Sequence, residues 1–399
     1  MANDSVNNET PTRRDYIKYG SALITGGLLA GCAGQSDQES TPTDSTPTET
    51  TTPTETTTPT EIETTTTEAT EPYTVSIEPM GDVEFESVPE TWVANNGSWA
   101  DMGIALGQDP PKGVWLTNRY HTQYYDEIPG VSVDKSDMVS LYQDGVRKEL
   151  FYELDGDVHV IDPNFLLNRF KGWEQKDIDE VRENIAPFFG NSIFSAGYSW
   201  HENYQYYSLM KAFEKLAQVF QQQDRYVAFE SVHEAFQGNL APVVPGQGDR
   251  PSVAVLWASD QPETFLPYII GSRTSFKHLR DLKVKDALAR TGVKDFHANR
   301  GEIDYETLLE IDPDVLLLRG QESKTAEKFQ NTVVEFMKNH AVGSELTAAK
   351  NGDVYRAGGL YQGPITNLVL TERLASDLYG TDEELFDRQR VADIVNGNF

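Results

Sequence analysis

Residues 306–318, Glu-Thr-Leu-Leu-Glu-Ile-Asp-Pro-Asp-Val-Leu-Leu-Leu, are echoed upstream by residues 149–161, Glu-Leu-Phe-Tyr-Glu-Leu-Asp-Gly-Asp-Val-His-Val-Ile. The two stretches align without a gap, with both Glu, both Asp and the Val identical. In each, apolar residues at helical spacing lead into a tight turn, where Pro or Gly ends the helix. An apolar run typical of a buried parallel strand follows. One helix–turn–strand unit used twice favours two similar α/β lobes; chance repetition of such units is the alternative.

The chain of 399 residues carries a formal net charge of −30. Residues 1–32 are neutral and residues 33–72 contribute nine acids and no base, so −21 remains on residues 73–399. Nucleic acids and anionic membranes bind positive surfaces, which argues against both as partners. So acidic a body fits a protein kept soluble by hydrated carboxylates in concentrated salt, and we take a halophilic origin as a hypothesis.

The first 32 residues have the pattern of an export signal. Arg13 and Arg14 precede an apolar stretch at 22–30 that is too short to span a hydrocarbon core of about 30 Å. The pattern resembles a twin-arginine signal, and residues 29–32, Leu-Ala-Gly-Cys, resemble a lipobox, which implies lipidation of Cys32. Cys32 is the only cysteine, so no intramolecular disulfide is possible; a buried small hydrophobe is its alternative role.

Residues 33–72 are predicted to form a disordered stalk. Of the 30 residues at 41–70, 17 are Thr, and most of the others are Pro and Glu. Such a segment cannot bury enough apolar surface to offset its chain entropy. It would tether a folded body near a membrane.

From residue 73 the sequence alternates strand and helix patterns. We predict strands at 91–94, 113–116 and 252–257, a helix at 99–106 with Ser98 as its N-cap, two helices near 206–220 and 225–240, and a closing helix at 365–379. The helix at 225–240 would be about 24 Å long, enough to cross between lobes.

Three stretches resemble ABC-transporter solute-binding proteins of the iron–siderophore and cobalamin class: residues 149–158, 303–315 and 348–355. The resemblance covers residues 90–380 and implies an α/β fold, with two Rossmann-like lobes whose central sheets are mainly parallel, joined by a single long α-helix. The corresponding boundaries are 1–32 for the signal, 33–72 for the linker, 73–222 for the first lobe, 223–241 for the interlobe helix and 242–399 for the second lobe. The Asp-Gly-Asp turn and an insert at 173–201 depart from the family pattern.

The resemblance also implies a role. Such proteins are not enzymes: they capture a small molecule between their lobes and deliver it to an ABC permease with a cytoplasmic ATPase. The family's docking carboxylates, which meet permease arginines, fall on Glu149 and Glu306; a Glu favoured by the helix macrodipole is the alternative. The protein would be an extracytoplasmic monomer anchored through Cys32, with no cofactor and no direct metal ligand.

The implied ligand is a ferric siderophore chelate, with a corrinoid or haem as alternatives. Its broad apolar face calls for aromatic side chains, and its anionic groups call for Arg, Tyr and His. The candidates lie at strand ends or in nearby loops: Trp99, Arg119, Tyr120, Tyr124, Trp200, Trp257, Arg319 and Tyr361. Arg119 and Arg319 favour the siderophore, since cobalamin would call mostly for aromatics.

Two other classes stay open. An exported enzyme on a related two-lobed scaffold would need Cys ligands for a metal cluster, which Cys32 alone cannot supply. A non-transport sensor or adhesion lipoprotein would have no permease encoded beside it.

Overall fold

A computed structural model describes residues 71–196 and 198–399 of the protein. These residues belong to one compact unit. The predictions for the export signal (Arg13, Arg14), the lipidation site (Cys32) and most of the stalk lie outside the described residues.

The body begins with an antiparallel hairpin. Strands β1 (Tyr73–Ile77) and β2 (Gly81–Phe85) pair along their whole length. Their side chains alternate, and one face is buried through Val75, Ile77, Val83 and Phe85. This alternation is typical of a half-buried strand, and it packs the hairpin against the helix Leu209–Val219.

The first lobe has a fully parallel four-stranded sheet. Its spatial order is β5 (Val139–Ser140), β4 (Gly113–Val114), β3 (Trp92–Ala94) and β6 (Val158–Val160). The strands are short, and β3, β4 and β6 are buried on both faces, as expected of strands covered by helices. The helices of this half of the chain are Gly97–Ala105, Glu149–Leu154, Pro163–Arg169, Gln175–Asn184 and Leu209–Val219.

The second lobe has a mixed sheet of six strands. Its order is β10 (Ile303–Asp304), β8 (Thr264–Tyr268), β7 (Ser252–Trp257), β11 (Val315–Arg319) and β12 (Val354–Arg356), with β9 (Lys285–Asp286) also paired to β7. Strands β7, β9, β11 and β12 are parallel, and β8 runs antiparallel to both of its neighbours, β7 and β10. The helices are Lys277–Asp281, Phe296–Asn299, Tyr305–Ile311, Ala326–Phe329, Glu335–Asn339, Thr347–Asn351, Pro364–Tyr379 and Arg388–Val395. The prediction of an α/β fold with two mainly parallel sheets is confirmed.

A single helix, Gln223–Leu240, connects the two halves of the chain. Its 18 residues span about 27 Å at 1.5 Å per residue. Phe229, Val232, Phe236 and Leu240 form its buried side, and it packs between the helices Leu209–Val219 and Arg388–Val395. The helix lies where the sequence predicts it. The domain boundaries drawn around it stay a prediction.

The repeated stretches adopt the same structure in both lobes. The helices Glu149–Leu154 and Tyr305–Ile311 both end at a left-handed Asp, Asp155 with φ 44° and Asp312 with φ 42°. The second Asp of each unit then binds the start of the neighbouring strand. Asp157 Oδ2 accepts a hydrogen bond from Thr91 N (2.7 Å), and Asp314 Oδ2 accepts one from Ser252 N (2.7 Å). The second Asp of each unit thus links β6 to β3 in the first lobe and β11 to β7 in the second.

Two local predictions were wrong in detail. The helix predicted from residue 99 begins at Gly97, because the Asn96 side chain, and not that of Ser98, caps it by accepting a hydrogen bond from Ser98 N (2.9 Å). The strand predicted over 113–116 ends at Val114, since the chain turns into a 3₁₀ helix at Thr117–Arg119.

Candidate functional site

Residues of the two lobes meet at the carboxyl ends of the parallel strands. In the second sheet, Arg319 at the end of β11 pairs in register with Trp257 at the end of β7. From the first lobe, Arg119 follows β4 and places its guanidinium 5.6 Å from the centre of the Trp257 ring. Ligands of open α/β sheets bind at this edge, so the candidate site lies here.

Arg319 is an unusual side chain, because its charge is almost completely buried. Its residue exposure is 1%, and only Nη2 donates a hydrogen bond, to Ser275 O (2.6 Å). Nε and Nη1 are buried without a partner in the described structure. The guanidinium lies between the rings of Phe276 (4.4 Å) and Tyr268 (5.1 Å). Burial lowers the pKa of Arg319 to about 10, so the group stays charged at neutral pH.

Three more arginines, Arg119, Arg169 and Arg300, lie close enough to lower the pKa of Tyr268 or Tyr361 by their charge. Burial raises the pKa of Tyr268, and the charges of Arg319, Arg119 and Arg300 oppose that rise. Burial likewise raises the pKa of Tyr361, which Arg119 opposes by its charge and by donating a hydrogen bond. We call Arg119, Arg169, Arg300 and Arg319 the arginine cluster.

Arg169 belongs to this cluster because it lies against Tyr198 and its pKa responds to the charge of Arg300. It ends the helix Pro163–Arg169, and its guanidinium lies 5.5 Å from the centre of the Tyr198 ring. Burial lowers the pKa of Arg169, and the positive charge of Arg300 lowers it further. The four guanidinium groups act in overlapping sets on the same three tyrosines, Tyr268, Tyr361 and Tyr198. Within so acidic a chain they form a local positive potential that suits an anionic ligand.

Asp295 and Glu322 act on Arg319 by their charges and also have hydrogen-bond partners of their own. Asp295 raises the pKa of Arg319 by its charge, and its Oδ2 accepts a hydrogen bond from Ile269 N (2.9 Å). Glu322 is an ion-pair partner of Arg373 (3.3 Å) and accepts a hydrogen bond from Gly358 N (2.7 Å). Burial would raise the pKa of Glu322, but the Arg373 charge and the Tyr124 hydroxyl lower it to about 2.

Aromatic rings line the cluster. Trp257 is partly buried and also packs against Gly320, where a Cβ would lie 2.8 Å from the indole and where φ is +86°. The backbone therefore requires glycine beside the Trp257 ring. The Tyr361 ring packs edge-on against Phe194 (5.2 Å).

The structure brings together four of the eight sequence candidates for ligand binding: Arg119, Trp257, Arg319 and Tyr361. Trp200 lies beside them, since its ring stacks at 4.4 Å on Tyr198, the ring that faces Arg169.

The other three candidates have side chains that are buried in the core or hydrogen-bonded to groups outside the arginine cluster. Trp99 is fully buried in the hydrophobic core. The Tyr120 hydroxyl bonds to that of Tyr125 (2.7 Å), which donates to Asp101 (2.6 Å). Tyr124 donates to Glu322. A role in ligand binding for these three would require the core or these hydrogen bonds to rearrange.

The hydrogen bonds of Tyr124 and Tyr125 belong to contacts between the lobes. Asp101, on the helix Gly97–Ala105, is fully buried and accepts hydrogen bonds from Ile365 N (3.0 Å) and Thr366 N (3.1 Å) at the start of the helix Pro364–Tyr379. Burial raises the pKa of Asp101 to about 6, although these donors oppose the rise. Both contacts, Asp101 with the helix Pro364–Tyr379 and Tyr124 with Glu322, are braces that hold the first lobe to the second.

The predicted docking residues are exposed on equivalent helices. Glu149 begins the helix Glu149–Leu154, and Glu306 lies in the first turn of the helix Tyr305–Ile311. Neither is part of an ion pair with another described residue. The two helices precede strands of different sheets. Their docking role stays a prediction.

Within the described residues, no group of three or more His, Cys, Asp or Glu is placed to hold a metal ion. None of the described helices combines the length and apolar character needed to cross a membrane.

The structure is that of a two-lobed α/β protein with a cluster of four arginines at the strand ends of its sheets. Residues 93–359 match the family described as periplasmic binding protein, and the chain belongs to that family. No curated protein matches the chain.

Solved structures share this fold. A periplasmic binding protein from Veillonella parvula is similar with a TM-score of 0.53 and 15% identity, over 78% of this chain and 99% of that one. The petrobactin-binding protein YclQ from Bacillus subtilis gives 0.52 and 15%, over 78% and 98%. The siderophore-binding protein BauB, bound to a complex of two acinetobactin molecules and ferric iron, gives 0.51 and 19%, over 77% and 99%.

Proposed function

We propose that the protein captures a ferric siderophore-type chelate with several anionic oxygens between its lobes and delivers it to an ABC-type importer. The observation that carries this proposal is the arginine cluster, and above all Arg319. A buried charge with unpaired donors costs free energy, on the order of several kcal/mol when it has no partner at all. An anionic ligand that accepts from Nε and Nη1 would offset this cost through charge-assisted hydrogen bonds.

An organic chelator is the form in which this site would take iron. The described residues offer no cluster of metal-ligating side chains, so the chelator would hold the ion and the protein would bind the chelator. Its flat apolar parts would pack on Trp257, Tyr268 and Tyr361. YclQ and BauB, which are named for siderophore binding, have the same fold.

Corrinoids and haem are the second candidates. A corrinoid presents a large apolar face with amide groups and would gain little from four guanidinium groups. Haem would bring two carboxylates to a site with four arginines. The number of arginines therefore favours a chelate with more anionic oxygens.

Delivery would use the exposed acids on the repeated helices. Glu149 and Glu306 would each form a charge-assisted hydrogen bond with an arginine of the permease. Cleavage after the twin-arginine signal (Arg13, Arg14) would leave Cys32 lipidated at the outer face of the cytoplasmic membrane, with the Thr-rich stalk as tether. The protein would act there as a monomer.

Titration of intrinsic tryptophan fluorescence tests the ligand class, because Trp257 lies in the site. The panel would contain carboxylate, catecholate and hydroxamate ferric siderophores, their iron-free forms, haem and cobalamin. We expect saturable binding of an anionic ferric siderophore, which Arg119→Gln weakens. Binding of cobalamin alone, or chemical turnover of any member of the panel, would contradict the proposal.

A further inference from the structure

Exposed apolar side chains occur on both predicted docking helices. Within the described residues, four large hydrophobic side chains are exposed: Tyr152 (43%), Val227 (56%), Leu309 (37%) and Phe399 (43%). Tyr152 lies three residues after Glu149, and Leu309 lies three residues after Glu306. In a helix this spacing places each apolar side chain on the same face as its Glu.

The match extends to a third exposed position. Glu153 and Glu310 follow Tyr152 and Leu309 directly, and all of them are exposed. Each helix therefore presents an acid, an apolar side chain and a second acid in the same order. Packing explains why buried positions of the two units match, such as Phe151 and Leu308. It does not explain why the exposed positions match, because exposed positions tolerate most side chains.

We propose that each helix docks on the permease through a composite patch, in which Tyr152 or Leu309 enters an apolar socket and the flanking acids meet basic side chains around it. This inference rests on the proposed function and adds an apolar contact to the acidic one. Two patches of the same composition suit a partner that presents the same socket twice. A two-fold permease, with one basic-rimmed socket per subunit, would present such a surface.

The Tyr152 ring is held in place for such a contact. Its hydroxyl donates a hydrogen bond to Glu180 Oε1 (3.0 Å) on the helix Gln175–Asn184, while 43% of the residue stays exposed. Glu180 in turn pairs with Lys148 (2.7 Å). A side chain fixed before binding loses less conformational entropy when it is buried in a partner.

The apolar contact has a physical advantage for a protein this acidic. At about 1 M salt the Debye length falls to about 3 Å, so exposed ion pairs contribute little beyond direct contact. Burial of apolar surface is not screened by salt. The apolar residues would therefore carry a growing share of the docking affinity as salt rises.

Affinity measurements against the detergent-purified permease–ATPase complex of the importer test this inference. The full chain would be compared with Tyr152→Ser, Leu309→Ser and the double variant, at about 0.1 M and about 1 M salt. Val227→Ser is the matched control, because Val227 is as exposed but lies on the interlobe helix. We expect each docking variant to lose about tenfold in affinity and the double variant about a hundredfold, at both salt concentrations, and the control to bind as wild type.

The outcomes separate this inference from the proposed function. If wild type binds the complex and the double variant binds equally well, the apolar contact is wrong and the proposed function stands. If the double variant also loses affinity for the ferric siderophore, the side chains act on the fold, and the inference fails. If wild type binds no permease at all, both fail.

Discussion

Arg319 carries the buried charge of the arginine cluster. We expect Arg319→Met to weaken binding of the ferric siderophore by about a hundredfold, because the ligand loses a buried charged donor. The same change should raise the free energy of unfolding of the ligand-free protein by about 1–3 kcal/mol, since Met fills a similar space without leaving polar atoms unpaired. Fluorescence titration and urea unfolding measure the two effects.

The opposite signs of these two effects distinguish binding from folding. Arg182→Met, at an exposed arginine on the helix Gln175–Asn184, serves as the control and should change neither quantity by much. A loss of both stability and affinity in Arg319→Met would make Arg319 a structural residue and would contradict the proposed site.

Asp101 gives the fold a pH dependence. Its carboxyl is fully buried, and burial raises its pKa from 3.8 to about 6. The folded protein therefore binds this proton more tightly than the unfolded chain does, and stability falls as pH rises from about 4 to about 6. The loss is about 3 kcal/mol. Asp101→Asn removes this ionisation while its amide oxygen can still accept from Ile365 N and Thr366 N, so its stability relative to wild type should rise across this range.

Urea unfolding at steps between pH 4 and pH 7 measures that difference. Glu322, whose pKa is lowered to about 2, stabilises the fold above its ordinary pKa of 4.5 and loses that contribution as pH falls. It acts equally in both proteins, so it cancels in the comparison. A constant difference between wild type and Asp101→Asn over the whole range would show that Asp101 does not titrate there.

The sequence predicted only part of the arginine cluster, namely Arg119 and Arg319. Arg119 and Arg319 follow strands that composition makes visible, so the strand-end rule finds them. Arg169 is the last residue of the helix that follows β6, so the strand-end rule does not reach it. Arg300 follows a four-residue helix in an irregular segment. No periodic spacing of apolar residues indicates its position there. Trp99 was chosen for its residue type, which does not separate a binding ring from a core ring.

Among the secondary structure elements, the repeated helices support a prediction about delivery. Reversing both charges, in Glu149→Lys with Glu306→Lys, should leave affinity for the ferric siderophore unchanged and abolish its uptake by cells. The acids are exposed and lie on helices outside the arginine cluster, so only docking should suffer. Fluorescence titration and uptake of radioactive iron measure the two properties.

The control for this pair keeps the net charge change the same. Glu234→Lys with Glu327→Lys alters two exposed acids on other helices and should spare uptake. Loss of siderophore affinity in Glu149→Lys with Glu306→Lys would instead assign these acids to the cleft.

Helices and strands were predictable where the spacing of apolar residues and the turn residues indicate the same structure. The repeated unit combines helical spacing, a left-handed Asp and a buried strand, and all three features are present in both lobes. Strand β8 was missed because Pro267 lies inside it, and Pro removes a ladder donor and argues against a strand. The hairpin of β1 and β2 does alternate between buried and exposed residues, so its signal was present in the sequence.

For the whole molecule, the sequence predicts the two sheets and the helix between them but not how the lobes contact each other. The braces join distant parts of the chain: Asp101 binds the backbone of Ile365, and Tyr124 binds Glu322. No local pattern marks such pairs, since each partner alone looks like an ordinary polar residue. The arginine cluster has the same origin, because Arg119 and Arg169 reach Arg300 and Arg319 only once the lobes have docked.

The net charge of −30 makes stability a property of the solvent as well as of the chain. Like charges on the folded body repel one another, and raising salt from about 0.1 M to about 1 M shortens the Debye length from about 10 Å to about 3 Å. We expect the midpoint of thermal unfolding to rise across this range and to keep rising in more concentrated KCl. Circular dichroism measures the midpoint.

Sucrose separates screening from a general solvent effect. Excluded osmolytes strengthen burial without screening charge, so sucrose at the same osmolality should raise the midpoint less than KCl does. Equal effects of the two solutes would attribute the gain to exclusion from the surface. Full stability in dilute buffer, with no further gain in salt, would contradict the halophilic hypothesis, because self-repulsion of the acidic body would then cost the fold nothing measurable.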